Sequence, residues 1–252
     1  DSAEFNEFWK LSRSRTGDFI KLITTHYPDL VLNYSYNALG TFIQSKSSLN
    51  TTWEGLLFIE EFVSKGIDAS SAPLHHQMLL MHLQLLTLHG TIPEDGVVLN
   101  RWISCVKDFT ALLGDSCPED DFKRSIESLF RLAVMDGTKI ICDSLKSEAA
   151  LAILKLADSN PGLFSPLLEP LLTAISPLLQ SPSTAGSWQR KLFSELVLIF
   201  MLHPNIPVEK QMQLFSLVAD PLAELLKEAK RLLCAGPDPA LLLMNHLGFN
   251  EI

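Results

Sequence analysis

The sequence predicts an all-α protein, a HEAT-repeat solenoid of about five antiparallel helix hairpins. Three observations carry that expectation. Five prolines, Pro28, Pro73, Pro118, Pro161 and Pro204, stand 45, 45, 43 and 43 residues apart, and one hairpin with its two turns takes roughly 40–47 residues in HEAT and armadillo arrays. Each proline lies between two stretches of helical hydrophobic periodicity, and the first turn of a helix tolerates its missing N–H. No period-two run of Val, Ile and Thr stands between turn signals, so no strand is expected.

The elements follow in order. The first repeat, 3–44, places helices near Glu4–His26 and Asp29–Gln44, then a short polar linker. The second, 51–90, runs from Thr51–Lys65 to Leu74–His89. The third, 95–135, has Asp95–Leu113, a break at Gly114-Asp115-Ser116-Cys117-Pro118, and Glu119–Met135. The fourth, 147–180, has Ser147–Asp158 and Leu163–Gln180. The fifth, 187–233, has Ser187–Leu202 and Val208–Leu233. A partial repeat, 239–252, opens with a helix at Pro239–Leu247. The whole, 1–252, reads as one solenoid segment. Ile20, Ile153 and Leu196 each lie eight residues before a repeat proline, and Ile23, Leu156 and Ile199 five before. Residues three apart share a helix face, so these pairs are expected to be buried at equivalent places. Interior prolines bend helices, which points to bends at Pro177 and Pro221.

Composition narrows the class further. With 47% hydrophobic residues, a stack in which each repeat packs on its neighbours has ample material for a continuous core. The apolar run Leu196-Val197-Leu198-Ile199-Phe200-Met201-Leu202 is far short of the about 20 residues of a membrane span, so no membrane is expected. With no secretory signal evident, the sequons at Asn33 and Asn50 read as accidental. Cys105, Cys117, Cys142 and Cys234 form no CxxC pair, and free thiols in a reducing compartment are expected. The net charge of −9 opposes bulk attraction to nucleic acid, which needs a basic footprint.

Signals for chemistry are sparse. There is no phosphate-binding loop, nucleophile elbow or HExxH, and no enzyme, cofactor, metal or small-molecule substrate is expected. His75, His82 and His89 are spaced by sevens, about 10.5 Å of helix rise per step, which is too far for a shared ion. They read as a half-exposed polar stripe. Glu119-Asp120-Asp121 reads as a helix N-terminus favoured by the macrodipole; Glu60-Glu61 is the other carboxylate pair. Basic residues stand out more: Arg13, Arg15 and Lys21 on the first helix; Lys123, Arg124 and Arg131 on the third repeat's second helix; Lys227, Lys230 and Arg231 at the end of the fifth. Second helices line the concave, partner-binding side of such arrays, so Lys123, Arg124, Arg131, Lys227, Lys230 and Arg231 are the candidate cargo or RNA contacts. The competing reading is ordinary solvation and helix C-terminal complementarity.

Several segments resemble the karyopherin-β exportins, in particular those that carry precursor microRNAs. These are Phe5-Asn6-Glu7-Phe8-Trp9 with Ser12-Arg13 and Gly17-Asp18; Trp53-Glu54 with Phe58-Ile59-Glu60; Asn160-Pro161 with Pro166; Glu195-Leu196-Val197-Leu198-Ile199; Pro221-Leu222-Ala223; and Asp238-Pro239-Ala240-Leu241. They run in order along most of the chain, while 74–146 rests on periodicity. The resemblance implies an internal HEAT segment of a nuclear export receptor. It would bind double-stranded RNA or protein cargo together with Ran-GTP, touch nucleoporins, and shuttle between nucleus and cytoplasm. The alternative is a HEAT scaffold or adaptor for a multiprotein complex.

Overall fold

The computed structural model describes residues 2–45, 50–67, 72–88, 95–134, 143–180, 188–202 and 206–234. Pro204, His89, Cys142 and the helix expected at 239–247 lie outside them. The described residues form eleven α-helical segments and no strand: α1 (Ser2–His26), α2 (Pro28–Ser45), α3 (Asn50–Gly66), α4 (Ala72–Leu88), α5 (Gly96–Leu113), α6 (Glu119–Val134), α7 (Asp143–Ser159), α8 (Pro161–Phe164), α9 (Leu168–Gln180), α10 (Trp188–Leu202) and α11 (Val208–Cys234). Every helix expected within these residues is present.

Local chemistry sets the helix ends. Pro28 and Pro161 occupy first helical positions, and Pro73 falls in the first turn of α4, as the missing proline N–H permits. Asp95 caps α5: its carboxylate accepts from the Val97 and Val98 amides at 2.8 and 3.3 Å, satisfying two of the orphan donors of a helix start. At the other end Gly114 takes φ 49° and returns its N–H to the Ala111 and Thr110 carbonyls, a backbone conformation glycine adopts without a Cβ penalty. A 3-10 turn, Gly114–Ser116, then leads through Pro118 into α6. The helices α9 and α11 run through Pro177 and Pro221.

The chain divides into two compact units, Asp1–Ser159 and Asn160–Ile252, with the boundary inside the stretch read as repeat four. In the first unit the odd helices pack in succession, α1 on α3, α3 on α5 and α5 on α7, while α2 packs on α4 and α4 on α6. The core is dense in α5, where Val98, Leu99, Trp102, Val106 and Phe109 are fully buried. Burying such side chains supplies about 1.5–3 kcal/mol each before entropy is counted. Neighbouring α6 contributes Phe122, Ile126, Leu129 and Leu132. In the second unit α9, α10 and α11 pack on one another, and Phe164 meets Phe200 at 5.4 Å.

Ile153 and Leu196 are buried as the register requires. Ile20 is only half-buried, which corrects the expectation of equal burial. Among the described residues α1 has helices on one side alone, and Phe5, Phe8, Leu11, Phe19 and Leu22 on its other side are exposed.

The stretch Pro161–Gln180 is 20 residues long with mean hydropathy 1.4, long and apolar enough to cross a membrane. It is broken by the 3-10 turn Ser165–Leu167 and carries Pro161, Pro166, Pro170 and Pro177. Leu168, Leu171, Leu172, Ile175 and Leu179 are buried in a helix that packs on α10 and α11.

Candidate partner-binding faces

The six candidate contact residues are exposed, but most face a carboxylate one turn away. On α6, Arg124 reaches Asp121 at 3.2 Å and Lys123 stands 3.9 Å from Glu127; Arg131 is exposed two turns along the same face as Arg124. On α11, Lys227 bonds Glu224 at 2.6 Å, and Arg231 makes a two-pronged pair with Glu228 at 2.7 and 2.5 Å. These carboxylates raise the pKa of Lys227 and of Arg231 above their ordinary values, chiefly through the hydrogen bond. Lys230 is exposed. The three residues of α6 belong to the first unit and those of α11 to the second, and the alternating signs leave neither helix a basic stripe.

On α1, Arg13 is a structural cation. Its guanidinium reaches Glu54 Oε1 at 2.6 Å, and Arg101 Nε reaches the same oxygen at 2.7 Å. Arg101 Nη1 then bonds Glu61 at 2.6 Å, and Lys65 bonds the other oxygen of Glu61 at 2.7 Å. Both guanidinium groups also lie close to the Phe58 ring, 4.6 and 4.9 Å from its centroid. This chain of charges ties α1, α3 and α5 together. Its members are partly shielded and arranged as a network, the setting in which ion pairs contribute to stability. Arg15 and Lys21 are exposed.

The pair Glu60-Glu61 is split by one step of helix. Glu61 joins the ionic network; Glu60 is buried, and burial pushes its carboxyl up to about 8, with the nearby Ser35 hydroxyl pulling the other way. Neither Glu60 Oε2 nor Ser35 Oγ completes a hydrogen bond. The acidic start of α6 complements the helix dipole as expected, and Asp121 also holds His76 at 2.7 Å.

The histidine stripe is a correction. His75 and His82 are fully buried, not half-exposed. Both pack on Phe109, with centroids 6.5 and 5.4 Å away, and the His82 ring lies nearly parallel to it. Burial pulls His82 down to about 3, so the ring is neutral and serves as a flat aromatic filler. Neither of its ring nitrogens has a hydrogen-bond partner, while its backbone carbonyl accepts from Trp102 Nε1 at 2.8 Å. No group of three or more His, Cys, Asp or Glu placed to hold a metal occurs among the described residues. The Cys105 thiol is buried and pushed well above its ordinary range, by burial first and by Glu60 next; burial also lifts Cys117 to about 11. Neither is a nucleophile at neutral pH, since the thiolate is the reactive form. Between α5 and α7 a shallow pocket is lined by Lys107, Asp108, Lys155 and Asp158, but Asp108 is engaged by Lys107 at 3.1 Å and by Ser64 at 3.2 Å.

What remains is apolar surface. The α1 stripe carries Phe5, Phe8, Leu11, Phe19 and Leu22, with Arg15 among them; α11 carries Val208, Met212, Phe215, Leu222 and Leu226, each at least half exposed. Contiguous exposed apolar faces of this kind mark interaction sites. The spacing by threes and fours was visible in the sequence, yet an outward stripe and a core stripe look alike until the packing is known.

No protein-family model, curated protein or solved structure matches the chain.

Proposed function

We propose that the chain is a non-catalytic helical-repeat segment of a nuclear export receptor, which recognises macromolecular partners through helix faces. One observation carries the repeat reading. Six polar links between helices join residues about one repeat apart: Arg13–Glu54 at 41, Arg101–Glu54 at 47, Arg101–Glu61 at 40, Ser64–Asp108 at 44, His76–Asp121 at 45 and Lys210–Glu169 at 41 residues. The shorter links Arg190–Leu179, Thr110–Ser125 and Trp102–His82 join consecutive helices. A chain that returns to the same place every 40-odd residues sets each position beside its equivalent in the next repeat, as in HEAT arrays. The succession of odd on odd and even on even helices supports the same reading.

The export assignment rests on the ordered likeness to exportin segments. Its partners are then Ran-GTP, nucleoporins and cargo, and the protein shuttles between nucleus and cytoplasm. Protein cargo is favoured over RNA, because Arg124, Lys227 and Arg231 are already paired with carboxylates while the apolar face of α1 stands open.

The test is recovery of duplex RNA and of protein cargo by the native gene product, with and without Ran-GTP. Wild type is compared with a variant in which Lys123, Arg124, Lys227, Lys230 and Arg231 are reversed to Glu. Ran-dependent recovery of protein that survives charge reversal supports the reading. Recovery indifferent to Ran replaces it with the scaffold alternative. A steep salt dependence of RNA recovery, abolished by reversal, would restore RNA as the cargo.

A further inference from the structure

We infer that α11 pairs with α11 of a second copy of this chain, antiparallel, through its outward heptad stripe. Val208, Met212, Phe215, Ala219, Leu222, Leu226 and Ala229 alternate by steps of four and three, the 3.5-residue period of a coiled-coil seam. The five large members are half or more exposed. The helix has a separate inner side, where Leu214 is buried and Leu217, Val218 and Pro221 are half-buried, so the outer stripe is not needed for packing on α9 and α10.

Length, shape and charge select the occupant. From 208 to 229 the stripe is about 32 Å long. A second α11 matches the full length. With a two-fold axis between Asp220 and Pro221, Met212 faces Ala229, Phe215 faces Leu226 and Ala219 faces Leu222, each layer occurring twice. Two of the three layers thus set an alanine against a larger side chain, the interdigitation a close helix pair needs. On the flank, Glu209 and Lys230 are exposed, and neither is in an ion pair among the described residues. The same axis brings Glu209 of one copy to Lys230 of the other, again twice. A parallel pair would stack Phe215 on Phe215 and Ala219 on Ala219, and would leave Glu209 and Lys230 about 30 Å apart. The interface is isologous, as two-fold dimers require.

Sedimentation velocity with light scattering, from about 1 to 100 μM, tests the proposal on the purified chain. Wild type should move from one to two chain masses across this range. Phe215→Glu should stay at one, with unchanged circular dichroism because Phe215 is an exposed residue. Glu209→Lys or Lys230→Glu alone should weaken association about tenfold, and the two together should restore it, because the charge pairs are exchanged and not lost. A single chain mass at every concentration overturns the inference. So does dimerisation of Phe215→Glu at wild-type strength, or failure of the double exchange to restore what each single reversal removed.

Discussion

Arg13 and Arg101 share one acceptor: both guanidinium groups reach Glu54 Oε1, at 2.6 and 2.7 Å, from helices on different sides of α3. Both also lie close to the Phe58 ring, 4.6 and 4.9 Å from its centroid. Glu54 is therefore the hub of the ionic network, and removing its charge takes from Arg13 and Arg101 the acceptor they share, leaving Arg101 its bond to Glu61.

Glu54→Gln should lower stability by about 2 kcal/mol, below the 3–5 of a fully buried broken pair because solvent still reaches the site. Arg101→Lys should lose most of that amount, since Nε and Nη1 serve two different carboxylates and an ammonium cannot span them. Urea denaturation of the purified variants measures both. A loss under about 0.5 kcal/mol for Glu54→Gln would place the network among surface pairs of no consequence.

The buried Glu60 and His82 should give the folded protein a stability plateau in mildly acidic solution. Burial lifts Glu60 from 4.5 to about 8, so the folded chain keeps a proton that the unfolded chain releases above 4.5. Stability from this group falls as pH rises from 4.5 towards 8. Burial lowers His82 from 6.5 to about 3, so the unfolded chain takes up a proton that the folded chain refuses, and stability falls as pH drops below 6.5. Between 4.5 and 6.5 the two slopes oppose each other. Outside that window one group acts alone, with a slope near 1.4 kcal/mol per pH unit. Glu60→Gln should flatten the alkaline limb and His82→Phe the acid limb. Unfolding curves from pH 4 to 9 that differ between wild type and variant by a constant offset would refute this.

Removing the Asp95 cap has a smaller and more local effect. Its carboxylate accepts two α5 amides, so Asp95→Ala should cost about 1 kcal/mol and Asp95→Ser much less. Hydrogen exchange should show the first turn of α5 opening more readily in the alanine variant while Trp102 to Phe109 remains protected.

How far the sequence could be read depended on whether a signal was local. Prolines at helix starts are local, and Pro28, Pro73 and Pro161 fall in first turns. The pairs Lys227–Glu224 and Arg231–Glu228 are i,i+3 neighbours that the sequence reading, which weighed cargo contact against solvation and helix C-terminal complementarity, did not name, although such spacing is a local signal. His75 and His82 were misread because a seven-residue spacing fixes one helix face but not which way it points; a neutral imidazole against Phe109 fills space as an aromatic ring. The Glu54 hub was out of reach, since its partners stand 41 and 47 residues away and no local rule joins them. Ile20 shared the core register with Ile153 and Leu196, but a stripe is buried only where a neighbour covers it.

A close backbone approach between α1 and α3 makes the final prediction, with opposite signs at two glycines of one helix. A Cβ on Gly66, the last residue of α3, would stand 2.7 Å from the Lys21 carbonyl oxygen and 2.8 Å from Thr24 Cβ on α1. The first of these atoms is backbone and cannot swing aside, and Thr25 donates to the Gly66 carbonyl at 3.2 Å across the same contact. Gly66→Ala should therefore push α1 away from α3 and destabilise by about 1–3 kcal/mol, the range for overpacking. Gly55 lies inside the same helix with nothing within 4 Å of a built Cβ. There alanine relieves the entropic weakness of glycine in a helix, and Gly55→Ala should stabilise by about 0.5–1 kcal/mol. Because both changes add one methyl group to one helix, propensity alone would make both variants more stable. Only the backbone contact between α1 and α3 predicts that the signs differ, and thermal unfolding of the two variants side by side decides it.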